Sequence, residues 1–185
     1  MLKQKGTALK STVKYIQEKL EKPALDAFVA GLPEELAVYF TKPAFASEWY
    51  PAGPMAQIME RFARHAGKPE REVYWDIGRH SSDDGLNSVY KIFIRLGNPE
   101  FIIRKATYVW NTYYSEGTYE ARLTPPNGAV LTLRGCVMPH EAICLRVGGW
   151  MQRTLEHSGA NNVKVEHTAC TLQGHATEEY AVAWE

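Results

Sequence analysis

The stretch His140–Glu185, "HEAICLRVGGWMQRTLEHSGANNVKVEHTACTLQGHATEEYAVAWE", changes its hydrophobic period part-way. Up to Ser158 the spacing is helical: Ile143, Val147, Met151 and Leu155 fall on one stripe. Beyond it, "NNVKVEHTACTLQ" and "EEYAVAWE" alternate as two strands joined by a turn near Gly174. Gly148-Gly149 inside the helix costs roughly 1 kcal/mol per glycine against alanine, so the pair marks close approach of another element. Just upstream, "TYEARLTP" and "AVLTLRG" alternate around the turn "PPNG" (Pro125–Gly128), which predicts another hairpin.

The preceding two-thirds reads as helices. Leu9, Val13, Ile16 and Leu20 share a face, and Pro23 ends that helix or opens the next. Met55, Ile58, Met59 and Phe62 form an amphipathic stripe stopped by Gly67. The segment after "HSSDDG" (His80–Gly85) reads as a helix with Leu86, Val89, Tyr90 and Phe93 on one face. Asn98-Pro99-Glu100 supplies a cap, a first-turn proline and an acid for one helix running to Gly117. "KPAFASEWYPAGP" reads as a connector packed on the core. The expectation is one α+β domain over residues 1–185. Its N-terminal helical layer packs on a small antiparallel sheet built from two C-terminal hairpins with an intervening helix.

Composition narrows the function classes. Lysine plus arginine number 21 and so do the acids, giving zero formal charge and no bulk attraction for nucleic acid or anionic lipid. No apolar run reaches the eighteen residues of a membrane span, and the N-terminus lacks the apolar core of a secretory signal. Cys136, Cys144 and Cys170 are too few and too irregular for a disulfide framework, so a reducing cytoplasm is expected. There is no G-x-S-x-G, H-E-x-x-H or phosphate-cradling glycine loop, and "HSSDDG" is local adjacency rather than a catalytic triad. His65, His80, His140 and His157 fall near expected helix ends, where a cation complements the helix dipole.

The chain's close, together with "WYP" (Trp49–Pro51) and "WNTYYSEG" (Trp110–Gly117), resembles a myxobacterial family of uncharacterised proteins. The C-terminal pattern is also similar to 4-vinyl-reductase-type small-molecule-binding domains, which group with the heme-NO-binding and TRAPP-like folds. That resemblance implies a dimeric module that takes an apolar molecule between helices and sheet. It also implies zinc held by one cysteine before the glycine-containing helix and by an acid and two cysteines in the final hairpin. The corresponding positions here are Cys144, His167, Cys170 and Glu178, so an acid has become histidine and a cysteine glutamate. All four remain zinc-ligating types. A regular strand opposes the set, because residues three apart, His167 and Cys170, point to opposite faces. His175 in the turn is an alternative ligand. The plain reading leaves Cys170 a small, partly buried residue near a strand end and His167 a satisfied polar one.

Trp110 and Tyr114, four apart on a helix, share a face, and Tyr90 is expected to turn inward beside them. These three are the candidate wall of an apolar pocket, set against the alternative that they are core. The leading expectation is a non-enzymatic small-molecule sensor that acts through a protein partner or a homodimer change. The alternative is an interaction scaffold without ligand, and an enzyme is the weakest reading.

Overall fold

In a computed structural model, residues 1–85 and 98–185 are described; Tyr90 and the helix expected around it lie outside them. Among the described residues, the N-terminal layer includes α1 (Gly6–Lys19), α2 (Lys22–Ala30), α3 (Glu34–Thr41), α4 (Ala52–Ala66), α5 (Glu70–Gly85) and α6 (Pro99–Arg104). A further short helix, α7 (Ala106–Tyr113), follows directly. The boundary signals act as the residues dictate. Asn98 accepts a hydrogen bond from the Phe101 amide at 2.9 Å and caps α6, and Gly67 takes the left-handed conformation (φ 62°) that ends α4.

Two expectations are corrected here. The helix read as continuous from Pro99 to Gly117 breaks at Lys105, whose amide closes the last turn of α6 on Phe101 and Ile102. The "WYP" connector is a strand. β1 (Lys3–Lys5) pairs antiparallel with β2 (Trp49–Pro51), and Gln4 also bridges to Tyr114. This small sheet pins the chain start across the helical layer.

The second sheet contains β3 (Thr118–Thr124), β4 (Gly128–Arg134), β5 (Lys164–Ala169) and β6 (Glu178–Ala183). Its order is β3-β4-β6-β5, so the two hairpins join through β4 and β6 in one antiparallel sheet. The α+β class is therefore as read. Between β4 and β5 runs α8 (Glu141–His157), wedged between the sheet and α5. Its residues from Ala142 to Gly149 are all buried, so it is an enclosed core helix rather than the one-striped helix its spacing suggested.

The α5–α8 contact explains the glycine pair. A methyl group on Gly149 would lie 2.1 Å from the Trp75 carbonyl oxygen, and one on Gly78 would lie 2.0 Å from the Arg146 carbonyl oxygen. Each helix thus lends glycine to the other's backbone. Polar ties run along the same seam. The Trp75 indole donates to Gln152 (2.8 Å), Ser82 meets Thr154 (2.9 Å), and Glu156 takes both Arg79 (2.9 and 3.0 Å) and Arg153 (2.9 Å). Asp83 accepts from Arg153 and pairs with His157, each at 2.7 Å. Ser82 and Asp83 therefore reach across to α8 near the end of α5. No helix of the described residues is long and apolar enough to cross a membrane.

Gly149→Ala is expected to destabilise the fold by about 1–3 kcal/mol or more, since backbone rather than a flexible side chain must move. Gly53→Ala in α4, with open space around its added methyl, is expected to be neutral or stabilising by about 0.5–1 kcal/mol. Urea denaturation of both variants checks the pair.

Burial alone would raise Asp83 and Glu156, but hydrogen bonds from Arg153 and His157, and from Arg79 and Arg153, leave both below their ordinary values of 3.8 and 4.5. A depressed folded pKa contributes stability that is complete above the unfolded pKa and lost as pH falls through the folded one. Glu156→Gln is therefore expected to cost about 1 kcal/mol near pH 7. The difference from wild type should shrink as pH drops below about 4.5, as read from denaturation midpoints.

Candidate functional site

Two features adjoin α8: one at Cys144 in its first turn, the other along the residues from Arg146 to Leu155. The first is a cluster of four side chains. Cys144 comes from the first turn of α8, His167 from β5, Cys170 from just beyond the end of β5, and Glu178 opens β6. One ligating atom from each lies within 4.8 Å of every other. The strand objection disappears because the β5–β6 register slips. His167 faces Tyr180 but Ala169 faces Glu179, so a bulge falls at Thr168. The strand then ends, and Cys170 leads into a single 3₁₀ turn over Thr171–Gln173. Bulge and turn together bring Cys170 to the same side as His167.

Glu178 is the unusual member. It sits on the inward face of β6 beside Tyr180 and Val182 and is 0% exposed. Its two oxygens meet His167 Nε2 at 2.6 Å and the Thr171 amide at 2.6 Å, with the Thr171 hydroxyl on the second. Burial pushes this carboxyl up, yet these hydrogen bonds outweigh it and hold the group below the usual carboxylate value. The His167 ring stacks on Tyr180 at 4.6 Å between centroids, and the Tyr180 hydroxyl donates to the Cys144 carbonyl at 3.0 Å. Burial, and then the nearby Glu178 and Cys170, push the Cys144 thiol well up. His175 stays outside the group, with its Nδ1 beside the Cys170 backbone. Cys136 is buried apart from the cluster, and burial pushes its thiol up to about 11.

The second feature is a cavity of about 420 Å³ between α1, α6, α7, α8 and the sheet. Its walls are mainly apolar and aromatic, including Ile103, Trp110, Tyr119, Leu131, Trp150 and Val182. Trp110 stacks on Tyr114 (4.1 Å, 18°) and meets Tyr119 edge-on at 5.3 Å. Its indole donates to the Glu116 carbonyl at 2.6 Å. Of the three expected wall residues, Trp110 and Tyr114 line this cavity, and Tyr90 lies outside the described residues. Both are also buried in the core, so wall and core are one surface here. Sequence reasoning passed over Arg146. It is a wall residue, 4% exposed, and its signal was a lone cation within the otherwise uncharged run Ala142–Trp150.

No family model matches the chain, and no curated protein does. Solved structures do. The fold is that of H-NOX domains. An H-NOX protein from S. oneidensis in the Fe(II)NO state superposes with a TM-score of 0.75 at 12% identity, covering 98% of this chain and 99% of that one. An unliganded Fe(II) H-NOX protein from K. algicida gives 0.72 at 12%, covering 98% and 96%. An oxygen-binding H-NOX domain related to soluble guanylate cyclases gives 0.71 at 10%, covering 98% and 95%. At such identities the likeness is one of architecture.

Proposed function

We propose that this protein is a non-enzymatic sensor module that takes a small, largely apolar molecule into the cavity beside α8. The cavity itself carries the reading. It is in the size range of small-molecule sites, with aromatic walls and a few convergent polar groups. The H-NOX architecture supports it, since its solved members include gas-bound states. An interaction scaffold would need no such space. Signalling would follow by population shift: the ligand favours whichever packing it binds better, and a protein partner or second copy in the cytoplasm reads the difference. Kinship with 4-vinyl-reductase-type and TRAPP-like modules, and with the myxobacterial family, belongs to this same proposal.

Haem, which this fold family holds, does not suit the residues present. Haem iron is held by a proximal histidine, a cysteine thiolate, a tyrosine, or a methionine paired with a histidine, so Met151 in the wall does not serve alone. No histidine or cysteine lines the cavity among the described residues, and residues 86–97 contain neither. Burial pushes the phenols of Tyr114 and Tyr119 up, which keeps them protonated and poor iron ligands. No step of the proposed mechanism therefore runs through iron.

The four-residue cluster is proposed as a structural zinc site that fastens the last hairpin to α8. Tetrahedral ligands at about 2.0–2.3 Å from zinc sit roughly 3.3–3.8 Å apart. The observed upper limit of 4.8 Å exceeds that by only about 1 Å, within reach of small side-chain adjustments. Zinc would also remove the conflict of two thiols and a carboxylate crowded into one buried spot.

Two experiments test these readings. Elemental analysis of protein purified in reducing buffer should give one zinc per chain. Joint Cys144→Ser and Cys170→Ser substitution should abolish it, with a loss of about 3 kcal/mol or more, roughly 6–12 °C in Tm. A metal-free protein whose Tm ignores chelators would make the cluster a hydrogen-bond network only. For the cavity, Trp110→Ala would damage the core as well as the wall, so a filling substitution discriminates better. Ala106→Phe, on the half-buried wall, should weaken Nile red binding at least about tenfold with stability held or raised. Unchanged dye affinity would place the binding elsewhere.

A further inference from the structure

Arg146 has no counter-ion. Its guanidinium, nine-tenths or more buried, donates among the described residues only to neutral oxygens: Gln4 Oε1 (3.2 Å), the Tyr114 hydroxyl (3.3 Å), the Ala8 carbonyl (2.9 Å) and Ser81 Oγ (3.3 Å). Three of those four bonds are long, and Nε has no partner among the described residues. No described carboxylate lies within ion-pair distance, and residues 86–97 contain no acid. A buried charge left unpaired is costly, and proteins normally pair it or hydrogen-bond it fully. Evolution could have placed a leucine or methionine at this point of an apolar helix at less expense to stability.

The surroundings say what would complete it. Tyr114, Ala8 and Ser81, three of the four partners, line the same cavity as Arg146 itself. Tyr119, also in the wall, has a buried hydroxyl without a partner among the described residues. The other charged wall residues among those described are Lys5, Lys10 and Asp84, and Asp84 is already taken by Lys14. Positive charge is thus in excess around an apolar, aromatic space. The guanidinium fork matches a carboxylate in two parallel hydrogen bonds.

We infer that the cavity takes an aromatic or aliphatic monocarboxylic acid whose carboxylate pairs with Arg146 while its apolar body lies against Trp110 and Tyr119. This rests on the ligand-binding reading above and names its ligand class. The long bonds to Tyr114 and Ser81 would give way to the incoming oxygens, and Tyr119 is a candidate second donor. Ligand entry would then relieve an internal strain of charge, so the empty and filled states differ in more than occupied volume.

Isothermal titration of the full chain with matched probes tests the inference. The pairs are 2-naphthoate against 2-naphthalenemethanol, and decanoate against decanol. Wild type should bind each acid at least about tenfold more tightly than its alcohol. Arg146→Met should erase that preference while leaving the alcohols bound, and Arg146→Lys should keep part of it. Equal affinity for acid and alcohol in the wild type would overturn the inference yet leave the cavity reading standing. Binding of neither kind of probe would overturn both. Because the wild-type preference is read without any substitution, a variant that fails to fold cannot hide the answer.

Discussion

Everything in this fold leans on the backbone-to-backbone approach of α5 and α8. Gly78 admits the Arg146 carbonyl, and Gly149 admits the Trp75 carbonyl, at distances no side chain would tolerate. That closeness lets α8 bury most of its circumference, with the helical layer on one side and the four-stranded sheet on the other. It also sets the height of Cys144 against the last hairpin and the depth of Arg146 in the cavity wall. A helix held a few ångströms farther out would present neither to its present neighbours. Glycine's cost in helix propensity is recovered here as packing that alanine could not provide.

The helix-then-hairpin close was legible because the hydrophobic period switches from helical to alternating within a few residues, and the caps at Asn98 and Gly67 were legible because their chemistry is local. What escaped was non-local. β1 and β2 are three residues each and form only because they meet each other across the helical layer, so no periodicity announces them. Lys105 interrupts a helix with no glycine or proline to signal it. The encirclement of α8 depends on both its neighbours, and one stripe of Ile143, Val147, Met151 and Leu155 could not show it.

The candidate site was legible in a mixed way. Cys144, His167, Cys170 and Glu178 came forward through resemblance, while strand geometry spoke against them. The slip at Thr168 reconciles the two, and a bulge of one ordinary residue leaves no mark in composition. Glu178 was visible only as an acid in an alternating strand; that it faces inward follows from its register with Leu133. Trp110 and Tyr114 do stack, but Tyr114 stands just past the end of α7 in extended backbone, so the contact does not come from the helical spacing that suggested it. Arg146 was readable in principle, as a charge with uncharged neighbours for a full turn on either side. It was passed over because an arginine on a helix is so often solvated.

The seam between α5 and α8 has a consequence in time as well as space. The face of α5 that carries Trp75, Ile77 and Gly78 leaves the ribosome some seventy residues before the helix that covers it. β1 likewise waits for β2, and Gln4 for Tyr114. Contacts of such sequence separation close late, after much loop entropy has been spent. The helical layer, though made first, has no finished core of its own until the C-terminal quarter arrives. Synthesis thus passes through a stage in which an apolar, glycine-notched helix face stands open, which is when a chaperone would find most to hold.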